Sequence, residues 1–333
     1  MSCAKKSTVW LVVMLMLLAL VTGCAASAQG QADPNAGGQG TQQSTDKLLV
    51  YATFYPMYDF ASKIGGDKIE LVNMLPTGGE PHSWEPDAAD IVGLEKADVF
   101  IYNGAGMETW TDKVLASLEN KSLIIDETSQ GIELMTGHHH DDEEEPHDDA
   151  DEEHHEEDEH SYDPHVWVSL RNAKLQMESI KNALSQADPG NADYYAANYE
   201  EYAAQLDALD AEFVDALAPV KNRNIVVSHQ AFGYLCRDYD LTQIAVEGLT
   251  PDSEPDAARM VEIIEFCQEN EVSTIFFEEL ASPKVAETIA KATGAKVSVL
   301  NPMGAISAQQ AEAGEDYLSI MRKNLQALVE GLQ

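Results

Sequence analysis

The alternation of short apolar runs with amphipathic stretches, which begins near Lys47, limits the possible folds of this chain more than any other feature. In the first half, four apolar runs have the length and composition of buried strands, and the stretches between them have helical spacing. The predicted strands are 48–53, 69–75, 99–102 and 123–125, and the predicted helices are 58–64, 88–96 and 111–118. Strands that alternate with helices indicate a parallel sheet with helices on both faces.

The same alternation returns after two long helical stretches, 169–187 and 192–217. The second set of predicted strands is 225–227, 244–246, 274–277 and 297–300, with helices at 256–269, 283–293 and 316–332. We therefore predict an α/β fold of two similar lobes with parallel sheets, bridged by one long rigid helix. The predicted bounds are 46–168 for the first lobe, 169–190 for the connecting helix and 191–333 for the second lobe. Because 169–187 contains neither Pro nor Gly, this helix should resist bending.

The N-terminal residues predict export and a membrane anchor. Lys5 and Lys6 precede an apolar run at 9–21, which is shorter than the roughly 20 residues of a membrane-spanning helix. This pattern is typical of a signal peptide, here residues 1–23. Cys24 ends a Val-Thr-Gly-Cys sequence that resembles a bacterial lipoprotein signal, so it is the predicted lipidation site. Residues 24–45 lack large apolar side chains and should form a flexible tether to the outer face of the cytoplasmic membrane, or its periplasmic side.

Acidic residues dominate the charge of the chain. There are 58 Asp and Glu against 20 Lys and Arg, for a formal net charge of -38, which argues against nucleic-acid binding. Residues 138–160 hold fourteen of these acidic residues and seven of the ten histidines, so they predict a solvated loop that binds divalent metals weakly. Its histidines are His138, His139, His140, His147, His154, His155 and His160. Such a loop can act as an antenna that captures divalent metal or senses its abundance; a flexible acidic loop that merely tolerates metals is the alternative.

Two cysteines, Cys236 and Cys267, lie in the predicted second lobe. An even pair in an exported protein can form a disulfide, but two buried thiols on neighbouring helices fit the sequence equally well. The chain has no C-x-x-C motif, so a thiolate zinc site has no support.

The three histidines outside the acidic loop are candidate metal ligands. His82 follows the predicted strand 69–75 in a loop, and His229 follows the strand 225–227 directly. His165 lies where the first lobe meets the connecting helix, and Glu278 follows the strand 274–277. Ligands of open α/β sheets bind at the carboxyl ends of strands, so these side chains should face a common crevice. Three imidazoles and one carboxylate would form a four-coordinate site suited to Zn²⁺.

Four motifs, in this order, resemble those of the metal-binding subunits of bacterial zinc and manganese ABC importers. They are PHSWEP at 81–86, DPHVW at 163–167, VSHQAFGYL at 227–235 and FFEELASPKVAET at 276–288. The resemblance covers the folded body from about Lys47 onward. It implies two α/β lobes bridged by a long rigid helix, with the metal between the lobes. The ligands it implies are His82, His165, His229 and Glu278, and whether Glu278 or a water is the fourth ligand stays open.

The resemblance further implies a protein that is not an enzyme and that delivers Zn²⁺ to a membrane permease with its ATPase. A monomer is expected. Manganese members place a carboxylate at the position of His229 and an Asp after the last strand, whereas 299–304 contains no Asp. Zinc is therefore favoured over manganese, since Mn²⁺ prefers more oxygen ligands.

Two other classes of function have less support in the sequence. A zinc hydrolase lacks support, because His155-Glu156 is followed by His160 at i+5 and no H-E-x-x-H motif occurs. A metal-dependent surface adhesin is compatible with a lipid anchor, but the sequence contains no dedicated adhesive module.

Overall fold

The computed structural model describes residues 47–137, 162–251 and 255–333. The predictions for the signal peptide, Cys24, the tether and the loop 138–160 lie outside these residues. The first lobe contains β1 (Leu48–Ala52), α1 (Tyr55–Gly65), β2 (Ile69–Asn73), α2 (Ala88–Leu94), β3 (Val99–Tyr102), α3 (Thr111–Ser117) and β4 (Ile124–Glu127).

Two long helices follow, α4 (Leu170–Ala187) and α5 (Ala192–Leu217). The second lobe contains β5 (Asn224–Val227), α6 (Gly233–Tyr239), β6 (Thr242–Ala245), α7 (Ala257–Glu269), β7 (Thr274–Phe277), α8 (Lys284–Thr293), β8 (Lys296–Val299), α9 (Ala308–Glu312) and α10 (Tyr317–Gly331). In these described parts of the chain, no helix is long and apolar enough to cross a membrane.

The two sheets have the same topology. The strand order is β2-β1-β3-β4 in the first lobe and β6-β5-β7-β8 in the second, and every pairing is parallel. The first strand of each lobe lies inside its sheet, with Val50 opposite Val99 in one and Val226 opposite Ile275 in the other. The prediction of two similar α/β lobes with parallel sheets is therefore confirmed.

Local chemistry fixes the helix starts. The side chain of Ser169 accepts a hydrogen bond from the backbone N of Asn172 and caps α4, and Asp256 and Asp316 cap α7 and α10 in the same way. Two helices, α6 and α9, were not predicted. They are short helices of 7 and 5 residues.

One buried apolar cluster runs through both lobes. It includes Val50 and Ile101 from the first sheet, Ile180 from α4, and Leu300 and Leu328 from the second lobe. The lobes thus share a core. Moving them apart would expose apolar surface to water, at a free-energy cost of about 25 cal/mol per Å².

Polar and aromatic contacts reinforce this shared core. Phe60 of α1 packs edge-on against Tyr317 of α10, with ring centroids 4.9 Å apart. The Tyr317 hydroxyl donates to the carbonyl oxygen of Trp167 at 2.7 Å, and the Trp167 indole donates to that of Pro302 at 2.7 Å. Lys63 of α1 pairs with Asp316 at 2.9 Å.

The connection between the lobes is a pair of helices. The predicted connecting helix corresponds to α4, which packs on α1, β3, β4 and α5. The second helix, α5, packs on α1 of the first lobe and on α6 and α10 of the second. Both helices therefore contribute to a stiff link; the lobe boundaries given above remain a prediction.

Cys236 and Cys267 are buried free thiols, with 4% and 2% of their surfaces exposed. Of the two possibilities left by the sequence, the structure has two separate thiols.

We predict that the lobes move little when a metal binds between them, because they share one core. Val92 and Val261 are exposed positions on α2 and α7, with relative exposures of 54% and 53%. Spin labels on Val92→Cys and Val261→Cys, in a chain that starts after Cys24, should keep their separation within about 2 Å on metal addition. A larger closure would contradict the shared-core interpretation.

Candidate metal centre

Three histidines from both lobes converge in one pocket. His82 lies between β2 and α2, His165 just before a 3₁₀ turn at Val166–Val168, and His229 just after β5. The Nε2 atoms of His82 and His229 each lie 3.2 Å from Nε2 of His165. One ligand atom from each ring lies within 4.8 Å of the others. The structure thus brings the three histidines together in one pocket, His229 from a strand end and the other two from loops.

The spacing of the Nε2 atoms fits a tetrahedral metal. A Zn–N bond of about 2.0–2.1 Å places two ligand nitrogens about 3.3–3.4 Å apart at a tetrahedral angle, close to the observed 3.2 Å. His165 and His229 are 1% and 2% exposed, and His82 is partly buried. An ion bound to the three rings would therefore lie in a largely buried pocket.

The loop that carries His82 is fixed from both lobes. Trp84 packs edge-on against Trp110 of the first lobe, with ring centroids 5.6 Å apart. The backbone N of Gly78 donates to the carbonyl oxygen of Ile306, in the second lobe, at 3.0 Å. The loop that carries His82 is therefore held by a side-chain contact within its own lobe and a backbone hydrogen bond to the other lobe.

Asp163 orients His165. Its Oδ1 accepts from the backbone N and from Nδ1 of His165, both at 2.9 Å, and the Asp163 residue is 1% exposed. A carboxylate accepts hydrogen bonds only, so Nδ1 of the ring carries the proton and Nε2 presents its lone pair to the pocket. Sequence reasoning missed this role, although the position two residues before His165 in DPHVW was available as a signal.

Glu278 contacts His229, away from the three convergent nitrogens. Its Oε1 accepts a hydrogen bond from Nδ1 of His229, which leaves Nε2 of that ring as the lone-pair donor. Glu278 lines the same pocket as the three histidines. The structure thus brings three of the four predicted ligands together through Nε2 and places the fourth against the opposite nitrogen of His229.

Burial sets the protonation of these rings. Desolvation and the two neighbouring imidazoles lower the pKa of His82 to about 2. Burial also lowers the pKa of His165, against the opposing hydrogen bond and charge of Asp163. For His229 burial acts in the same direction, but the hydrogen bond and charge of Glu278 outweigh it and raise its pKa. His82 and His165 are therefore neutral near pH 7, as metal ligation requires.

The accessory histidines of 138–160 lie outside the described residues. The described chain on either side of this segment is paired, since Thr136 and Tyr162 form an antiparallel bridge and the backbone N of Asp163 donates to the carbonyl oxygen of Met135 at 2.8 Å. The described residues on either side of the segment thus lie together, close in sequence to Asp163 and His165.

The chain is similar in sequence to known zinc-uptake and zinc-binding proteins. A family model described as zinc-uptake complex component A, periplasmic, matches residues 50–331. The chain is 39% identical over 314 residues to the high-affinity zinc uptake system protein ZnuA of Bacillus subtilis, covering 94% of each chain. It is 38% identical over 287 residues to the zinc-binding lipoprotein AdcA of Streptococcus pneumoniae, which is 86% of this chain and 56% of AdcA.

The fold is also that of solved relatives. The crystal structure of the Zn(II)-bound ZnuA-like domain of Streptococcus pneumoniae AdcA matches with a TM-score of 0.73 and 34% identity, covering 86% of this chain and 99% of that domain. The family match extends over both lobes and all four motif regions. With two lobes of the same topology and a three-histidine centre between them, this chain belongs to the family of zinc-uptake complex component A proteins.

Proposed function

We propose that this protein binds Zn²⁺ with high affinity outside the cytoplasm and delivers it to an ABC permease for uptake. The observation that carries the proposal is the convergence of three imidazole Nε2 atoms from two lobes, at the spacing of a tetrahedral zinc site. Zinc is the cargo, and no chemical step is needed. The relatives described as zinc uptake and zinc-binding proteins support the same conclusion.

The donor set favours zinc over manganese. Three neutral imidazoles suit Zn²⁺, whereas Mn²⁺ prefers carboxylate, carbonyl and water oxygens. The residue that follows the last strand of the second sheet by two positions is Asn301, whose Oδ1 accepts from the backbone N of Met303 at 2.7 Å. Asn301 supplies no carboxylate at this position, which further disfavours manganese.

We infer that Glu278 supplies the fourth ligand. Its side chain is 13% exposed, and it reaches His229 from the pocket wall. Nδ1 and Nε2 of one imidazole point in divergent directions, so the carboxylate must turn from Nδ1 toward the metal as zinc binds. A site with four protein ligands has no open position for a substrate, which agrees with carriage rather than catalysis.

The remaining parts of the proposal concern partners and location. We propose that Cys24 carries a lipid, that the protein acts as a monomer, and that an ATPase drives the permease. We propose that residues 138–160 collect zinc weakly near the site, because their imidazoles and carboxylates are divalent-metal ligands and attract cations over about 8–10 Å.

Replacing each of the three histidines tests the proposed site. His82→Ala, His165→Ala and His229→Ala should each weaken zinc binding at least about tenfold, since each removes one of few ligands. Competition with a chelator of known affinity measures the loss.

The matched background for this test is the chain without residues 138–160, in which weak zinc sites cannot mask the tight one. Thr136 and Tyr162 are already paired, so Gly137 and Ser161 can be joined without opening the lobe. The deletion itself should keep the tight affinity and lower the total zinc bound. Wild-type affinity in all three alanine variants would show that zinc binds elsewhere.

A pair of glutamine variants tests the role of Glu278. Glu278→Gln should lower zinc affinity by about tenfold or more, because an amide oxygen is a poorer ligand and the negative charge is lost. The matched control is Glu279→Gln at the adjacent exposed residue, whose Oε2 accepts from Gln310 at 2.6 Å. We expect the control to bind zinc as wild type does; equal affinities of the two variants would remove Glu278 from the ligand set.

A further inference from the structure

Asp163, which orients the ligand His165, is itself contacted by a residue of the second lobe. The hydroxyl of Tyr234, in α6, donates to the carbonyl oxygen of Asp163 at 2.8 Å. The same hydroxyl accepts from the backbone N of Met135 at 3.0 Å. Tyr234 is 0% exposed, and its hydrogen bond to Asp163 is buried, while the bond from Met135 is partly buried. A buried hydroxyl that both donates and accepts fixes the two chain segments it joins.

The neighbouring residue, Gly233, makes room for the carboxylate of Asp163. A Cβ atom built on Gly233 would lie 2.7 Å from Oδ2 of Asp163, closer than real Cβ contacts allow. The backbone of α6 and the carboxylate therefore approach more closely than any other residue type at 233 would permit. Gly233 thus lies close to the carboxylate of Asp163, and Tyr234 hydrogen-bonds to its carbonyl oxygen.

Asp163 connects these second-lobe contacts to the metal centre through His165. While Oδ2 lies against Gly233, Oδ1 accepts from the backbone N and Nδ1 of His165 at 2.9 Å. The direction of the His165 ring, and hence of its Nε2 lone pair, thus depends on contacts made by the other lobe. His165 Nε2 is also the atom that lies 3.2 Å from both other ligand nitrogens.

We propose that Tyr234 and Gly233 are positioning residues for zinc binding, through which the second lobe sets the orientation of His165 by way of Asp163. The inference rests on the proposed zinc site. Outer partners of metal-ligating histidines commonly contribute 10–100-fold to metal affinity. Tyr234 acts one contact further out than Asp163, so its hydroxyl should contribute about tenfold, the low end of that range.

The test is Tyr234→Phe in the full chain, which removes one oxygen atom and keeps the aromatic ring. The matched control is Tyr195→Phe, since Tyr195 is also 0% exposed and its hydroxyl contacts Asp188 at 3.1 Å, outside the metal pocket. We expect Tyr234→Phe to weaken zinc binding about tenfold and to alter the visible ligand-field spectrum of the Co²⁺-loaded protein. Tyr195→Phe should change neither, although both variants lower the melting temperature of the metal-free protein.

A purely structural role predicts a different result. Tyr234→Phe would then lower the melting temperature as Tyr195→Phe does, with wild-type zinc affinity and an unchanged Co²⁺ spectrum, and the proposal would be wrong. If Tyr234→Phe does not fold, Gly233→Ala decides, because it retains the hydroxyl and displaces Oδ2 of Asp163. Wild-type zinc affinity and Co²⁺ spectrum in Gly233→Ala would equally overturn the proposal.

His165→Ala, measured in parallel, separates this inference from the proposed function. Loss of zinc binding in His165→Ala with no effect of Tyr234→Phe would leave the zinc site intact and remove only the positioning role. Wild-type zinc binding in His165→Ala would mean that the site itself is wrong.

Discussion

The metal centre depends on the apolar core that the two lobes share. Ligands that meet at 3.2 Å must come from elements whose relative positions are fixed to a few tenths of an ångström. His82 and His165 belong to the first lobe and His229 to the second, so an independent motion of the lobes would separate them. The continuous cluster from Val50 to Leu328, together with the packing of Phe60 on Tyr317, prevents that motion.

Within this fixed frame, carboxylates decide which nitrogen of each ring faces the metal. Asp163 accepts a hydrogen bond from Nδ1 of His165, and Glu278 accepts one from Nδ1 of His229. The Nε2 atom of each ring is then free to donate its lone pair to a metal. Burial keeps His82 and His165 neutral, since each pKa is lowered. His82 and His165 are therefore oriented and neutral before a cation arrives, and the ordering that remains when zinc binds is the turn of the Glu278 carboxylate away from His229.

Much of this architecture could be predicted from the sequence. Strand and helix periods identified the eight strands in the described part of the chain, because each contains or adjoins a short apolar run. The strand ends then indicated where His229 and Glu278 would lie. The direction of the Glu278 side chain depends on a rotamer set by tertiary contacts, which sequence patterns do not contain. The roles of Gly233 and Tyr234 were hidden for the same reason, since they act on Asp163, 70 and 71 positions away.

X-ray absorption at the zinc edge tests the central claim most directly. With one zinc bound to the chain that lacks residues 138–160, the account predicts four light-atom ligands at about 2.0–2.2 Å. Three of these should show the outer-atom scattering of imidazole rings, and one should be an oxygen. A sulfur ligand at about 2.3 Å, an oxygen-rich shell or fewer than three imidazoles would contradict the assignment of His82, His165 and His229.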